Sequence, residues 1–157
     1  MNPSTLDFAE EEEKFQLFLF ELEDRQEAFI ENSTAQGYQL DYTSQSLTEL
    51  ERYLTAMPFS WDDKSDEAVG RRLDCWTYLG EVVRQNHGGD WQLSWNDDNS
   101  ANRGQFVITG HAPVEGVEFT PLRLIKTFIQ RGQSGALNRA VQAQVNPTPV
   151  DFSDLRE

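Results

Sequence analysis

The segment CWTYLGEVVRQNHGGDWQLSW, residues 75–95, decides the fold, because the period of its apolar residues changes within it. Up to Asn86 the period is helical. At about 100° per residue, Val69, Leu73, Trp76, Gly80 and Val83 fall on one line, with Cys75, Leu79 and Val82 beside it. Asp74, Tyr78, Glu81 and Gln85 fall opposite, on the expected outer side. An apolar arc of roughly half the circumference predicts the central helix of the core. From Trp91 the period is two: Trp91, Leu93 and Trp95 alternate with Gln92 and Ser94, as in a half-buried strand. His87, Gly88 and Gly89 are left to make the turn, and glycines that accept positive φ can end the helix and redirect the chain. Gly80, in mid-helix, costs stability relative to alanine and therefore predicts a close approach by another element.

Upstream, STLDFAEEEEKFQLFLFELEDRQEAFIENS places Phe8, Phe15, Phe18, Leu22 and Phe29 on one helical stripe, widened by Leu19 and Ile30. Glu10 to Glu13 fall in its early turns, where the helix dipole favours negative charge, and Gly37 follows its expected end. Ser46 and Glu49 have the spacing of a capping box ahead of Leu47, Leu50, Tyr53 and Leu54, predicting a second helix that runs to about Met57. Asp63 or Ser65 would cap the third. Downstream, the turn-forming NDDNSANRG joins the Trp91 strand to QFVITGH, with Phe106 and Ile108 on one face, as an antiparallel pair. Thr120 before Pro121 predicts a capped helix over TPLRLIKTFIQRG, closed by Gly132, and ALNRAVQAQV reads as a weaker final helix. The sum is an α+β domain, three N-terminal helices and a C-terminal helix packed on a small antiparallel sheet. One domain is expected over residues 1–145, with 1–34 as an acidic helix and the proline-containing 146–157 as a flexible tail.

Composition narrows function. The formal net charge of −14, from 27 acidic and 13 basic residues, argues against direct binding to nucleic acid, whose phosphates are neutralised by Lys and Arg. Residues 1–31 hold ten acids and two bases, net −8, whereas 101–145 hold two acids and five bases, net +3. Such a field steers cationic partners. A single cysteine, Cys75, no secretory pattern and no long apolar run point to a cytoplasmic protein with no membrane association.

Three fragments, LDYTSQSLTELERYL, WTYLGEVVRQNHGGDWQL and FTPLRLIKTFIQRG, resemble a set of small bacterial domains of unassigned function. These share a Leu-Asp-Tyr and Ser-Leu approach to a helix, a YLGEV helix and a GG-x-W turn. The resemblance spans roughly residues 38–131 and leaves the acidic helix outside. Several such acidic domains look like the immunity partners encoded beside bacterial toxins. The resemblance implies no catalytic residues.

The remaining candidate residues do not assemble a chemical site. His87 and His111 are the only histidines, and with Cys75 they do not make up the roughly four ligands at tight spacing that zinc needs. Cys75 and His87 are separated by about 18 Å of helical rise, too far for proton transfer, so a buried structural thiol is expected. Glu81 and Arg84 read as an exposed ion pair, and HGGD follows a helix instead of opening one, so it does not cradle an anion. No enzyme, cofactor or metal site is therefore expected; a small enzyme built on His87, His111, Glu81 or Asp90 is the weakest alternative. On the first helix, Glu10, Glu13, Glu21, Asp24, Glu27 and Glu31 share the polar side with Leu17 and Phe20. Apolar anchors among carboxylates suit a basic protein partner, a toxin or effector. The expected function is an immunity protein acting by occlusion, with Tyr38 and Trp61 as further exposed aromatics. The alternatives for Leu17 and Phe20 are intramolecular burial, or a homodimer serving as adaptor or chaperone for a secreted effector; the protein is accordingly either a monomer or a homodimer.

Overall fold

The computed structural model describes residues 7–95 and 101–145. Its elements run α1 (Phe8–Ala35), α2 (Ser46–Ala56), α3 (Asp66–His87), β1 (Asp90–Leu93), β2 (Phe106–Thr109), α4 (Pro121–Arg131) and α5 (Ala136–Val145). Helices α1, α2 and α4 and strand β2 all pack on α3, and α5 closes the end against α2 and α4. The α+β architecture is thus as expected, with two C-terminal helices where the fold class named one. The proposed tail at 146–157 lies outside the described residues.

Local chemistry explains the limits of α3. Ser65 caps it, its hydroxyl accepting from the Ala68 amide at 3.2 Å, and Asp63 holds the Ser65 amide at 2.9 Å. Acids at Asp66 and Glu67 and cations at Arg84 and His87 match the helix dipole. Gly88 and Gly89, at φ 84° and 97°, turn the chain as their composition predicts, and a Cβ on Gly89 would lie 2.6 Å from the Thr109 carbonyl. Strand β1 then pairs antiparallel with β2, Trp91 opposite Ile108, and Phe119 adds a bridge to Ile108. The Trp91 ring lies on Gly80, where a Cβ would stand 2.3 Å from the ring: this is the close approach that the mid-helix glycine implied.

Several expectations fail, for reasons of tertiary packing. Every residue from Cys75 to Val83 is buried, including Tyr78 and Glu81, because α1, α2, α4 and the sheet surround α3 on more than the one predicted face. Val69, nearer the helix start, is exposed. The capping box does not form. Gln45 occupies the N-cap without a side-chain bond, since Ser46 turns its hydroxyl to the Thr43 carbonyl and Tyr78 hydroxyl, and Glu49 binds Arg52 and the Gln39 amide. Thr120 likewise makes no side-chain cap, although Pro121 and the left-handed Gly132 bound α4 as expected. Buried Glu51 of α2 accepts the Gly135 and Leu137 amides at 2.8 and 3.0 Å, a carboxylate placed at the N-terminus of α5 from 86 residues away.

Candidate binding surfaces on the acidic helix

Helix α1 starts at Asp7, whose carboxylate accepts the Ala9 amide at 3.0 Å, and runs for 28 residues with one face on the core. Phe15 and Phe29 are buried there, and Phe18 stacks on Trp76 with centroids 5.5 Å apart. Two members of the expected stripe stray: Phe8 is partly exposed and touches Trp95 edge-on, and Leu19 is exposed. Buried Gln26 anchors the helix, donating to the Asp74 carbonyl at 3.1 Å and accepting from the Tyr42 hydroxyl at 2.9 Å.

The eight residues singled out from the sequence divide between two surfaces. Leu17 is 57% exposed and Phe20 85%, so neither is buried within the chain. They form a shallow depression of about 570 Å³ with Glu10, Glu13, Lys14 and Gln16. Glu21 lines an adjoining hollow of about 230 Å³ with Lys14, Leu17, Arg25 and Asp74, and Asp24 is exposed one turn from Phe20. The cations on this flank are engaged: Lys14 lies 3.4 Å from Glu11 and 4.0 Å from Glu10, and Arg25 lies 2.9 Å from Asp74. Burial pushes the Asp74 carboxyl up from its usual range, against the pull of Arg25.

Glu27 and Glu31 belong instead to a groove of about 930 Å³ on the opposite flank of α1. Leu19, Leu22, Glu23 and Ile30 complete the α1 wall, facing Glu81, Arg84 and Gln85 of α3, Asp90 and Trp91 of β1, and Tyr42. Glu81 is the surprise. Its carboxylate is 4% exposed as a residue and accepts from Trp91 Nε1 at 2.9 Å and from Arg84 Nε and Nη2 at 2.7 and 3.1 Å. The expected exposed ion pair is therefore a charge-assisted cluster on a buried carboxylate, with Arg84 half-exposed at its edge. Tyr42 stands beside it at φ 64°, with its amide on the Tyr78 hydroxyl and its carbonyl on Asn86; burial, then the Glu81 charge, drives its phenol pKa up.

The groove was not legible in the sequence. Glu27 and Glu31 were found as part of a charged face, but Leu19 was assigned to the core stripe, and Glu23, Arg84 and Trp91 carried no signal of a shared surface. The other named aromatics are not free: Tyr38 is half-buried with Arg52 over its ring at 4.4 Å, and Trp61 lies between Arg72 and Lys126 at 5.0 and 5.6 Å.

Of the residues considered for catalysis, Glu81 and Asp90 share the groove, and Cys75, His87 and His111 do not line it. Cys75 is fully buried and its thiol pKa is pushed up by desolvation, which opposes thiolate formation. His111 is buried against Phe119, with Nε2 2.7 Å from Gln144 Oε1. His87 is half-buried at the end of α3 and Asp90 is exposed. Among the described residues, no group of three or more His, Cys, Asp or Glu could hold a metal ion, and no helix is long and apolar enough to cross a membrane. Compared with protein-family models, curated proteins and solved structures, the chain finds no match.

Proposed function

We propose that this chain is a non-enzymatic binding protein that occludes a basic protein partner, acting as a cytoplasmic bacterial immunity protein against a cognate toxin. The observation that carries this reading is Phe20, 85% exposed on the acidic helix α1 in a depression that it shares with Glu10, Glu13 and Leu17. An aromatic ring held in water on a rigid helix represents unused apolar contact area, and such rings dominate the energetics of protein interfaces. The carboxylates at Glu10, Glu13, Glu21 and Asp24 supply the complementary half: they accelerate encounter with a cationic surface and disfavour acidic partners. The YLGEV and GG-x-W fragments resemble small bacterial domains of unassigned function, some of which look like immunity proteins, and that resemblance favours the same reading.

Affinity capture from the native cell is expected to recover a basic protein. In a purified complex, changing Phe20 to Ala together with Glu13 and Asp24 to Lys should weaken binding and flatten its dependence on salt. Unchanged kinetics would reject this surface. The alternative of a homodimeric adaptor for a secreted effector draws on the same exposed ring. It predicts a dimer that persists on dilution in light scattering and dissociates on Phe20→Ala.

A further inference from the structure

We infer that the groove between α1 and the α3–β1 turn receives a lysine- or arginine-bearing helix of the protein partner, as a second contact beside the Phe20 surface. This rests on the proposed binding function and specifies where the partner's cations go. Along the groove wall, Glu23, Glu27 and Glu31 recur every four residues, and Leu19, Leu22 and Ile30 lie among them. The spacing is about 6 Å per step, one helical turn, which a partner helix with cations at the same interval would match.

Neither cation of α1 lies on this side. Glu23, Glu27 and Glu31 have no hydrogen-bond or ion-pair partner among the described residues; Glu13 and Glu21 on the other flank have none either, but Lys14 and Arg25 stand among them. Across the groove Asp90 adds a further acid, and Arg84, its one cation, is held in two hydrogen bonds by Glu81. An apolar floor with an uncompensated acidic rim fits a basic amphipathic segment and disfavours an acidic one. The chain's own C-terminal segment, 146–157, carries three acids and one arginine, the wrong sign for this rim. A second copy is also a poor fit. Of its basic residues, Arg52 is bound to Glu49 and Arg72 to backbone carbonyls, Arg123 to the Ala101 carbonyl and Arg139 to that of Ser134, while Lys126 lies over Trp61; exposed Lys64 and Arg131 lie on separate segments, before α3 and at the end of α4, and do not present cations one helical turn apart.

The test is an amide NMR titration of the full chain with a synthetic amphipathic Leu/Lys peptide of about four helical turns, and with its Leu/Glu counterpart. The Leu/Lys peptide should shift Leu22, Gln26, Ile30, Arg84 and the Trp91 indole N–H, and the Leu/Glu peptide should shift none of them. Replacing Glu23, Glu27 and Glu31 by Gln should weaken binding about tenfold or more, while the equal charge change of Glu12→Gln, Asp62→Asn and Glu115→Gln should weaken it no more than about twofold. All six residues are exposed, so both variants keep the fold. Shifts centred on Leu17 and Phe20, equal losses in both triple variants, absence of binding, or occupation of the groove by a second copy in sedimentation would each overturn the assignment. The function reading fails separately, when the Phe20 and charge-reversal variant binds the native partner unchanged.

Discussion

Helices α1 and α3 are both rich in polar residues, yet they handle them in opposite ways. On α3 the buried polar groups of the helix body have partners, His87 Nε2 at its end being the exception: Glu81 holds Trp91 and Arg84, the Tyr78 hydroxyl meets Ser46 and the Tyr42 amide, and Arg72 binds the Ser60 and Asp63 carbonyls. On α1 Gln26 is satisfied in the same manner, but Glu23, Glu27 and Glu31 stay in water without a cation, and Phe20 stays there without a neighbour to bury it. Buried polar groups must be paired because desolvation without a hydrogen bond costs several times what the bond contributes in the folded state. Exposed carboxylates are under no such constraint, so their arrangement is free to serve association. Stability is concentrated around α3, and the proposed binding surface lies along α1.

The sharpest way to break this comparison is at Gly80. In an ordinary helix, Gly→Ala gains about 1 kcal/mol. Here the new Cβ would stand 2.3 and 2.4 Å from two Trp91 ring carbons, and Trp91 is fixed by its bond to Glu81 and its pairing with Ile108. Overpacking of this kind costs about 1–3 kcal/mol, and more for a larger side chain. Gly80→Ala is therefore expected to lower the free energy of unfolding in urea, and Gly80→Val to lower it by about 3 kcal/mol or more. A stabilised Gly80→Ala protein would show that Trp91 is free to move.

Next in size is Glu81. Glu81→Leu keeps similar bulk but removes the acceptor of the Trp91 indole N–H, a loss of about 2 kcal/mol. Arg84 contributes less to the loss because its side chain is 40% exposed and can rehydrate. Glu81→Gln, which retains an acceptor oxygen, should recover part of the difference. Equal losses in the two variants would mean that the charge itself, rather than the indole hydrogen bond, holds the cluster.

These two residues mark the limit of what was legible in the chain. Gly80 announced a close contact because a glycine in a helix has a cost that something must offset, and the switch from period 3.6 to period 2 located the Gly88–Gly89 turn. Glu81 gave no such sign. Hydrophobic periodicity reports one buried face, and it fails for a helix enclosed on several sides, where a polar residue is admitted through a partner elsewhere in the chain. The same limit hid Glu51, whose acceptance of the α5 amides joins residues 84 and 86 apart. Local signals failed where a tertiary partner outbid them: Ser46 had the spacing of a cap, but the Tyr78 hydroxyl and the Thr43 carbonyl engage its oxygen. On α1 the sequence set Leu17 and Phe20 off the stripe but left open whether they were exposed or buried, which depends on tertiary neighbours; the groove was missed because its far wall comes from α3 and β1.

The smallest expected effect is the most informative about function. Phe20→Ser removes a ring that no described side chain covers, so its effect on stability should fall within about 0.5 kcal/mol of zero. The same change should reduce association with a basic partner by about tenfold or more, as loss of a central aromatic anchor does. Selection for folding alone gives no reason to keep a phenylalanine at such a position, because a polar residue would serve α1 as well and lower the risk of aggregation. A large loss of stability would instead place Phe20 against part of its own chain. With stability unchanged and binding lost, the division between α3 as the support of the fold and α1 as the site of recognition holds at single-residue resolution.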